Sequence, residues 1–408
     1  MKILIVSQYY SPEAVPIPGD LAHGLAARGH TVRVVTGFPN YPYGRVLDGY
    51  KQRWRQVEQD GLVGLTRVPL YTDHSQSAVK RMLNYISFAL SSSTARGAMR
   101  DADVIYVYAT QMTAAFGPWL WRLAGGRPYV LHVQDLWPDS IVGSSMLTGN
   151  VTGRIINRIL SPWLRSVYSR ASAVIGIAPT MVATLNLRGS NRPGAQLIYN
   201  WADSGNTAAR EALSPVDRPR AKLVYAGNVG DMQDLHTVVR AAHKTIDDGV
   251  VLTIVGDGVV RESLGLLVRE LGAKNVHFSE PVPREKMPEV YAEADYALVT
   301  LKDLPVFRGT IPSKFQASLA AGLPVISTVQ GDVRSIVDEM QVGFTSDAEN
   351  VDALADIFRS AAKLSTDDRI LMAQRGKVLY DSEFSKKSGI SKIEDILSEA
   401  VKGQRITR

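Results

Sequence analysis

The 408-residue sequence contains no cysteine. This absence excludes disulfide bonds, thiolate zinc sites and cysteine nucleophiles, and it permits a reducing compartment. The start of the chain also lacks a long apolar run, because the segment Met1–Ser7 is apolar for only four residues before Gln8. Such a run is far below the ~18 residues of a membrane span and too short for the core of a signal peptide. We interpret it as a buried first strand.

Acidic residues are scarce in the middle of the first half. Between residues 74 and 202 there are twelve lysines and arginines but only four acids, Asp101, Asp103, Asp135 and Asp139, an excess of eight in a chain whose net charge is +6. This charge favours a polyanion, an anionic membrane surface or a phosphorylated substrate. Nucleic acid is not expected, because no recognised binding module accompanies the basic residues. A solvated basic face without function is the alternative.

Apolar strands and helices alternate along the chain, and the alternation restarts after a polar, proline-bearing stretch at residues 205–220. The chain is too long for a single hydrophobic core. This pattern therefore predicts an α/β fold of two doubly wound, Rossmann-like domains. The predicted domains are 1–204 with a C-terminal helix 381–408, and 205–380. A ligand is expected in the cleft between them, beyond the carboxyl ends of the strands.

Three strand-to-helix junctions in the second half carry glycines or a helix start: Gly227–Gly230, Gly256–Gly258 and Thr310–Lys314. Since all three follow strands of one predicted sheet, they can converge on one ligand. At the third, Ser313 is predicted to be the N-cap, and exposed amides, the helix dipole and Lys314 favour a phosphate. An ordinary capped junction is the alternative. Walker and dinucleotide fingerprints are missing, which disfavours ATP hydrolysis and dinucleotide redox chemistry.

Asp135 and Asp139 directly follow the predicted strand Tyr129–Gln134. Either carboxylate could orient or deprotonate an acceptor hydroxyl. The alternative is that Asp135 caps a loop and Asp139 a helix. Asp101 and Asp103 have the spacing of a metal-binding pair, but they precede a strand and so belong to the opposite edge of the sheet.

Six motifs in order resemble those of glycosyltransferase family 4, which has the GT-B fold. They are Arg28–Pro42, Asp135–Ser140, Asn200–Asp203, Gly227–Gly230, Gly256–Gly258 and Thr310–Lys314 with Ala320–Pro324. The resemblance covers nearly the whole chain. More narrowly, the chain is similar to sugar transferases of bacterial surface-polysaccharide clusters, including N-acetylfucosamine transferases. This resemblance implies a nucleotide-sugar donor bound by the second domain. We expect a UDP-linked sugar, with an N-acetylated deoxyhexosamine among the candidates. The resemblance also implies an acceptor bound by the first domain, retention of anomeric configuration and no metal or other cofactor.

The resemblance and the junctions together give candidate site residues. The nucleotide-sugar candidates are Gly227, Asn228, Gln233, Gly256, Asp257, Pro281, Arg284, Arg308, Thr310, Ile311, Pro312, Ser313, Lys314, Phe315 and Gln316. The acceptor candidates are Gly19, Asn40, Tyr41 and Trp137. The catalytic candidates are Asp135, Asp139 and Lys314, because a diphosphate leaving group needs its developing charge stabilised.

The chain departs from the family pattern at several of these positions. Gly309 and Ala317 stand where the family usually has two glutamates, and Asn228 and Gln233 stand where many members have an arginine and a lysine. Gln134 replaces a frequent histidine. Lys314 and the neighbouring amides are therefore expected to stabilise more of the leaving-group charge than in relatives.

Segments 78–100 and 154–168 mix arginines with apolar residues. We expect the first domain to bind the inner, cytoplasmic face of the plasma membrane, next to a polyprenyl-diphosphate-linked or glycan acceptor. Core packing of the same residues is the alternative. Three functions stay open: a glycosyltransferase, a nucleotide-sugar epimerase of the same architecture, and a non-catalytic nucleotide-sugar-binding protein. An inverting reaction with Asp135 as base also stays open, and the sequence does not identify the base, the sugar or the acceptor.

Overall fold

A computed structural model of the protein describes residues 1–73, 77–137, 150–189, 194–201 and 221–406. The chain divides into two compact units. The first comprises Met1–Asn200 with Gly389–Arg408, and the second comprises Trp201–Ser388. The first unit therefore ends at residue 200, four residues before the predicted boundary at 204. It resumes at residue 389, eight residues after the predicted start at 381.

The first unit is built on an eight-stranded sheet with the order β3-β4-β2-β1-β5-β6-β7-β8 among the described residues. Its strands are β1 Lys2–Ser7, β2 Thr31–Gly37, β3 Gln56–Asp60, β4 Val63–Val68, β5 Val104–Ala109, β6 Tyr129–Val133, β7 Ala173–Gly176 and β8 Ala195–Leu197. Its helices are α1 Pro16–Ala27, α2 Ala78–Ser93, α3 Arg96–Asp101, α4 Phe116–Leu123, α5 Asn150–Arg170 and α6 Pro179–Leu187. No helix in the described part of the chain is long and apolar enough to cross a membrane.

Strand burial explains which strands the sequence predicts. Every residue of β5 and β6 is buried, as expected for apolar strands covered on both faces of a parallel sheet. β3 is a polar edge strand that pairs antiparallel to β4 and has no fully buried residue. Sequence reasoning missed β3 because a single valine among polar residues gives no apolar signal.

The sequence pattern of residues 78–100 predicts one helix, and this prediction is wrong. The structure has two helices, α2 and α3, separated at Thr94 and Ala95. Hydroxyl groups at the end of α2 bond to carbonyls of its last turns. Ser93 Oγ donates to the Ala89 carbonyl at 2.5 Å, and Thr94 Oγ1 donates to the Ser91 carbonyl at 2.7 Å. Such local bonds compete with the continuing helix, so the Ser–Thr run ends it.

The second unit is built on a six-stranded sheet with the order β11-β10-β9-β12-β13-β14, in which all described pairs are parallel. Its strands are β9 Ala221–Ala226, β10 Val250–Val255, β11 Val276–Ser279, β12 Tyr296–Val299, β13 Val325–Ser327 and β14 Gly343–Thr345. Its helices are α7 Leu235–His243, α8 Arg261–Leu271, α9 Met287–Ala292, α10 Ser313–Ala320, α11 Asp332–Met340, α12 Val351–Lys363 and α13 Thr366–Leu379. β9 lies between β10 and β12, so the loop that follows β9 lies near the middle of the edge formed by the carboxyl ends of the strands.

The last helix, α14 Lys386–Ile406, returns the chain to the first unit. Before it, the π-helical turn Tyr380–Phe384 stays with the second unit, because the buried Phe384 ring packs edge-on against Phe315 with centroids 5.8 Å apart. In the first unit, Glu394 of α14 accepts from Arg28 at 2.5 Å and lies 2.7 Å from His30 Nε2. The packing of Phe384 therefore explains why the chain returns later than the sequence predicts.

Candidate functional site

The loops after β9 and β10 are interlocked. The Val229 amide donates to the Asp257 carbonyl at 2.8 Å. A Cβ atom on Gly256 would lie 2.0 Å from the Gly227 carbonyl oxygen, and one on Gly258 would lie 2.3 Å from that of Val229. Gly256 also has a φ of +139°, which L side chains rarely adopt. The structure thus brings the first two junctions together into one surface at the carboxyl edge of the sheet.

Lys314 extends from the first turn of α10 to this surface. Its ammonium donates a hydrogen bond to the Tyr225 hydroxyl and lies 4.2 Å from the centroid of the Tyr225 ring. A Cβ atom on Gly227 would lie 3.1 Å from Lys314 Nζ. The Tyr225 hydroxyl in turn donates to the Asn228 carbonyl at 2.5 Å. The third junction therefore joins the other two through Lys314 and Tyr225.

The ammonium of Lys314 is largely removed from water. Burial lowers the pKa of Lys314 to about 8. Among the described residues no carboxylate forms an ion pair with it, and burial is the whole cause of the shift. A desolvated cation without a counter-charge favours an anionic ligand, because the ligand would supply the missing opposite charge.

The predicted N-cap at Ser313 is wrong. α10 begins at Ser313, and the capping residue is Pro312, with φ −65°, ψ 142° and no side-chain cap bond. The proline ring fixes φ near this value, so the extended residue is Pro312 and Ser313 is already helical. The Phe315 amide donates to the Pro312 carbonyl at 3.0 Å, and both Phe315 and Gln316 have buried side chains. Phe315 is thus a core residue, whereas Thr310 is exposed on the approach to the helix.

The other cations near the junctions have carboxylate partners. Arg308 forms two hydrogen bonds with Asp303, at 3.0 and 2.8 Å, and both residues lie near the surface. Arg261 bonds to Glu280 at 2.7 Å and donates to the Gly256 carbonyl at 2.5 Å. The candidate Arg308 is therefore partly neutralised, in contrast to Lys314.

The remaining donor candidates lie around the same edge. Asn228 and Gln233 face each other, with Nδ2 and Oε1 3.4 Å apart. Pro281 is exposed and follows β11, and Arg284 begins the short turn Arg284–Lys286. Ile311 precedes Pro312 and is partly buried. Positions 228 and 233 carry no cation. Two lysines reach the segment after β9: Lys302 pairs with Asp231 at 2.9 Å, whereas Lys314 has no carboxylate partner among the described residues.

In the first unit, Asp135 lies among tyrosines at the end of β6. After burial, which is the larger cause, the Asp135 charge contributes to the raised pKa values of Tyr9, Tyr85 and Tyr108. Part of Asp135 is exposed to solvent, but burial of the carboxyl group still raises its own pKa. A carboxyl group in this setting can accept a proton or a hydrogen bond from a hydroxyl. Asp139 lies outside the described residues.

A buried carboxylate holds two predicted acceptor residues in place. Glu13 accepts hydrogen bonds from the amides of Tyr10 at 3.1 Å, Asn40 at 2.8 Å and Tyr41 at 2.9 Å. The Tyr41 ring lies 5.5 Å from that of Tyr9. The loop that contains Asn40 and Tyr41 is thereby fixed beside the tyrosines around Asp135. Sequence reasoning missed the role of Glu13 in holding this loop. A single glutamate in a proline-containing loop was the signal that could have indicated it.

Two further acceptor candidates differ in their surroundings. Trp137 is buried, its ring lies 5.8 Å from that of Tyr85, and its carbonyl accepts from Arg188 at 2.7 Å. Gly19 lies inside α1, where an added Cβ atom would meet only the Tyr10 ring at 4.0 Å. The structure therefore groups Trp137 with Asp135, whereas position 19 does not require glycine.

Two family models match the chain in succession. A model described as a glycosyl transferase 4-like domain matches residues 16–201, and a model described as glycosyl transferases group 1 matches residues 210–377. The second matched region contains the three junctions around Lys314. The first contains Asn40, Tyr41, Asp135 and two of its neighbouring tyrosines, Tyr85 and Tyr108, whereas Tyr9, Tyr10 and Glu13 precede it.

Known proteins similar to this chain have related names. The chain is 30% identical to the putative colanic acid biosynthesis glycosyl transferase WcaI of Escherichia coli, covering 81% of this chain and 84% of that protein. It is 24% identical to the probable glycosyltransferase WbjE of Pseudomonas aeruginosa, covering 60% and 62%. Among solved structures, HepE of Anabaena in complex with UDP aligns with a TM-score of 0.66, 16% identity, and coverage of 98% and 100%. Sucrose-phosphate synthase of Thermosynechococcus elongatus aligns with a TM-score of 0.64, 16% identity and 98% of both chains.

Proposed function

Since the chain belongs to glycosyltransferase family 4 and is a glycosyltransferase of the GT-B fold, we propose that it builds a bacterial surface polysaccharide. In this proposal it transfers a sugar from a UDP-linked donor, such as an N-acetylated deoxyhexosamine, to a lipid-linked or glycan acceptor. The name of the relative from Escherichia coli supports the polysaccharide, and the UDP in the Anabaena complex supports the donor class.

The observation that carries the donor assignment is the buried, uncompensated ammonium of Lys314 at the interlocked loops. A nucleotide diphosphate would supply the missing negative charge there. As the sugar leaves, charge grows on the departing phosphate oxygen, and a preorganised cation in a site of low dielectric stabilises it. The N-terminus of α10 adds its dipole at the same place. In this proposal the chain itself stabilises the leaving group, and the reaction needs no metal.

We assign the acceptor to the first unit, at Asp135 and its tyrosines. In the retaining reaction, the bond from the anomeric carbon to the diphosphate breaks and the bond to the acceptor oxygen forms on the same face. The acceptor proton passes to the leaving phosphate oxygen. Asp135 then orients the acceptor hydroxyl through a hydrogen bond. If Asp135 instead takes the proton, the product has the opposite anomeric configuration, so analysis of the product anomer separates the two mechanisms.

The test is incubation of the purified protein with UDP-, GDP- and dTDP-sugars, with and without a lipid-diphosphate acceptor. We expect nucleotide release that depends on the acceptor and is greatest for a UDP-sugar. Isomerisation of the donor without acceptor would instead support an epimerase, and binding without reaction would support a non-catalytic protein. Binding can be read first by thermal shift, because a ligand at 100 times its Kd stabilises by about 2.7 kcal/mol.

The same proposal includes peripheral association with the inner, cytoplasmic face of the plasma membrane. The basic residues of the first unit support it, because anionic lipid attracts cations near its surface. Equal and weak retention by anionic and neutral liposomes at low salt would contradict it.

A further inference from the structure

Among the described residues, Tyr225 contacts the Lys314 ammonium in two ways. The tyrosine is fully buried in the apolar core of the second unit, one residue before the end of β9. The ammonium lies 4.2 Å from the centroid of the Tyr225 ring and donates a hydrogen bond to the Tyr225 hydroxyl. A single side chain thus offers Lys314 both an electron-rich aromatic face and an oxygen acceptor.

The Tyr225 hydroxyl has a fixed orientation. It donates its one hydrogen to the Asn228 carbonyl at 2.5 Å, so its lone pairs remain for Lys314. The Asn228 carbonyl belongs to the loop after β9, which is interlocked with the loop after β10 at Gly256 and Gly258. The acceptor for the ammonium is therefore tied to the backbone of the surface on which the three junctions meet.

Glycine at position 227 leaves the space in which Lys314 reaches the ring. A Cβ atom there would lie 2.4 Å from Lys314 Cε and 3.1 Å from Lys314 Nζ. The stem of a lysine is flexible, so without a contact at its end the ammonium would occupy many positions. A cation that is already held at one position loses less conformational entropy when a ligand binds. The contact with Tyr225 therefore prepares Lys314 for an anion.

No charged group competes with Tyr225 for Lys314 in the described part of the chain. Helix α10 packs against α13, the turn Tyr380–Phe384, β12 and β13. Neither these elements nor the other described ranges add a charge effect to the burial that lowers the pKa of Lys314 to about 8. Burial raises the pKa of Tyr225, so its hydroxyl stays neutral. A neutral hydroxyl that accepts from an ammonium favours the protonated lysine.

We propose that Tyr225 is a positioning residue of the donor site, which holds the Lys314 ammonium beside the loop after β9, where it meets the diphosphate. The proposal rests on the proposed function and adds to it a residue that acts through Lys314. The alternative is a purely structural role, in which the hydroxyl only satisfies the Asn228 carbonyl.

The first test is Tyr225→Phe, which keeps the ring and removes the hydroxyl. The protonated lysine then loses its acceptor, and we expect its titration to move to lower pH by about one unit. Affinity for UDP, measured by calorimetry, should therefore fall about tenfold at pH 9 and less than threefold at pH 6.

The matched control is Tyr296→Phe. Tyr296 is also fully buried in the core of the second unit, and its hydroxyl donates to the Ala361 carbonyl at 3.0 Å. Both variants remove one buried hydroxyl from a carbonyl, so both should lower the melting temperature by a similar amount. Only Tyr225→Phe should change UDP affinity. Circular dichroism checks that each variant is folded.

A double-mutant cycle shows whether Tyr225 acts through Lys314. In a Lys314→Ala background, Tyr225→Phe should change UDP affinity less than twofold, because the group that it positions is already absent. Residues that act together through one contact give such non-additive effects.

Labelling of Lys314 with acetic anhydride, followed by mass spectrometry, reads the lysine without any substrate, because only the unprotonated amine reacts. The labelling midpoint should lie near pH 8 in the unmodified protein and about one unit lower in Tyr225→Phe. This measurement needs neither sugar transfer nor nucleotide.

Three results would overturn the proposal. The first is the same labelling midpoint in Tyr225→Phe and in the unmodified protein. The second is an equal loss of UDP affinity in Tyr225→Phe and Tyr296→Phe, which would assign both hydroxyls to the structure. The third is an undiminished effect of Tyr225→Phe in the Lys314→Ala background. A protein that shows the labelling shift and binds UDP but transfers no sugar would count against the proposed transfer reaction and support the role of Tyr225.

Discussion

The loops at the carboxyl edges of the two sheets hold their charged side chains in two ways. In the second unit, Arg261 is neutralised by Glu280, whereas Lys314 is desolvated with no counter-charge among the described residues. In the first unit, Glu13 accepts three amide hydrogen bonds, whereas burial raises the pKa of Asp135 and no described residue donates a hydrogen bond to it. In each unit, these loops thus combine a charge that the fold satisfies with one that has no such partner among the described residues. We propose that the satisfied charges build the loops and that the unsatisfied ones contact ligands.

The largest effect that would test this division is expected for Lys314→Ala. Loss of the cation should lower kcat/KM for sugar transfer by about 10³, comparable to removal of a group that stabilises the transition state. The melting temperature should stay the same or rise, because a buried charge is removed. Lys244→Ala is the matched control, since Lys244 pairs with Asp352 at the surface. If Lys314→Ala keeps its full transfer rate and nucleotide affinity, these loops do not bind the donor.

A smaller loss is expected for Asp135→Asn. The change keeps the size of the side chain but removes the charge that we propose orients the acceptor hydroxyl, so kcat/KM should fall about 10²-fold. Steady-state kinetics with saturating donor measures this. Asp103→Asn is the control, because Asp103 accepts from the Lys2 amide at the amino edge of the sheet. Similar rates for the two variants would assign Asp135 to the loop structure.

The pH dependence of kcat/KM should show whether the cation at position 314 loses its proton, by comparison with an arginine that stays charged. Because burial lowers its pKa to about 8, kcat/KM should fall as the pH rises through that value and the ammonium loses its proton. Lys314→Arg should shift this limb to higher pH, since arginine stays protonated. A limb unchanged in Lys314→Arg would assign it to another group.

Stability should change with pH in the opposite direction. Between about 8 and the ordinary lysine value of 10.5, the unfolded chain binds the Lys314 proton and the folded chain does not. The free energy of unfolding contributed by this group therefore rises with pH in that window. Denaturant titrations of the unmodified protein and Lys314→Ala should diverge there.

The smallest catalytic effect is expected for Glu13→Gln, which acts through the loops. The glutamine amide can replace one carboxylate oxygen but not both, so one of the three backbone amides loses its acceptor at a cost of about 1–3 kcal/mol. Stability should fall by this amount, and KM for the acceptor should change more than kcat. An equal loss in kcat with unchanged stability would contradict the structural role of Glu13.

The fold could be predicted from the sequence wherever strands are apolar and end in glycine or polar junctions, as at β5, β9 and β10. The convergence of three junctions follows from parallel topology alone. The pairings that define the site could not be predicted, because they join distant residues: Glu13 to Asn40 across 27 positions and Lys314 to Tyr225 across 89. The predicted N-cap at Ser313 is wrong because the preceding Pro312 is already the extended residue that caps the helix.

The return of α14 to the first unit has a consequence for synthesis on the ribosome. Residues 389–408 belong to a unit whose other residues, Met1–Asn200, are translated first. In the structure Glu394 joins Arg28 and His30, and a Cβ atom on Gly24 would collide with the Ile390 side chain. The earlier-translated unit must therefore wait until residues 389–406 have been made before it can complete its packing, while Trp201–Ser388 is made in one stretch. A stop codon after residue 388 would damage the amino-terminal half of the protein rather than the half it truncates.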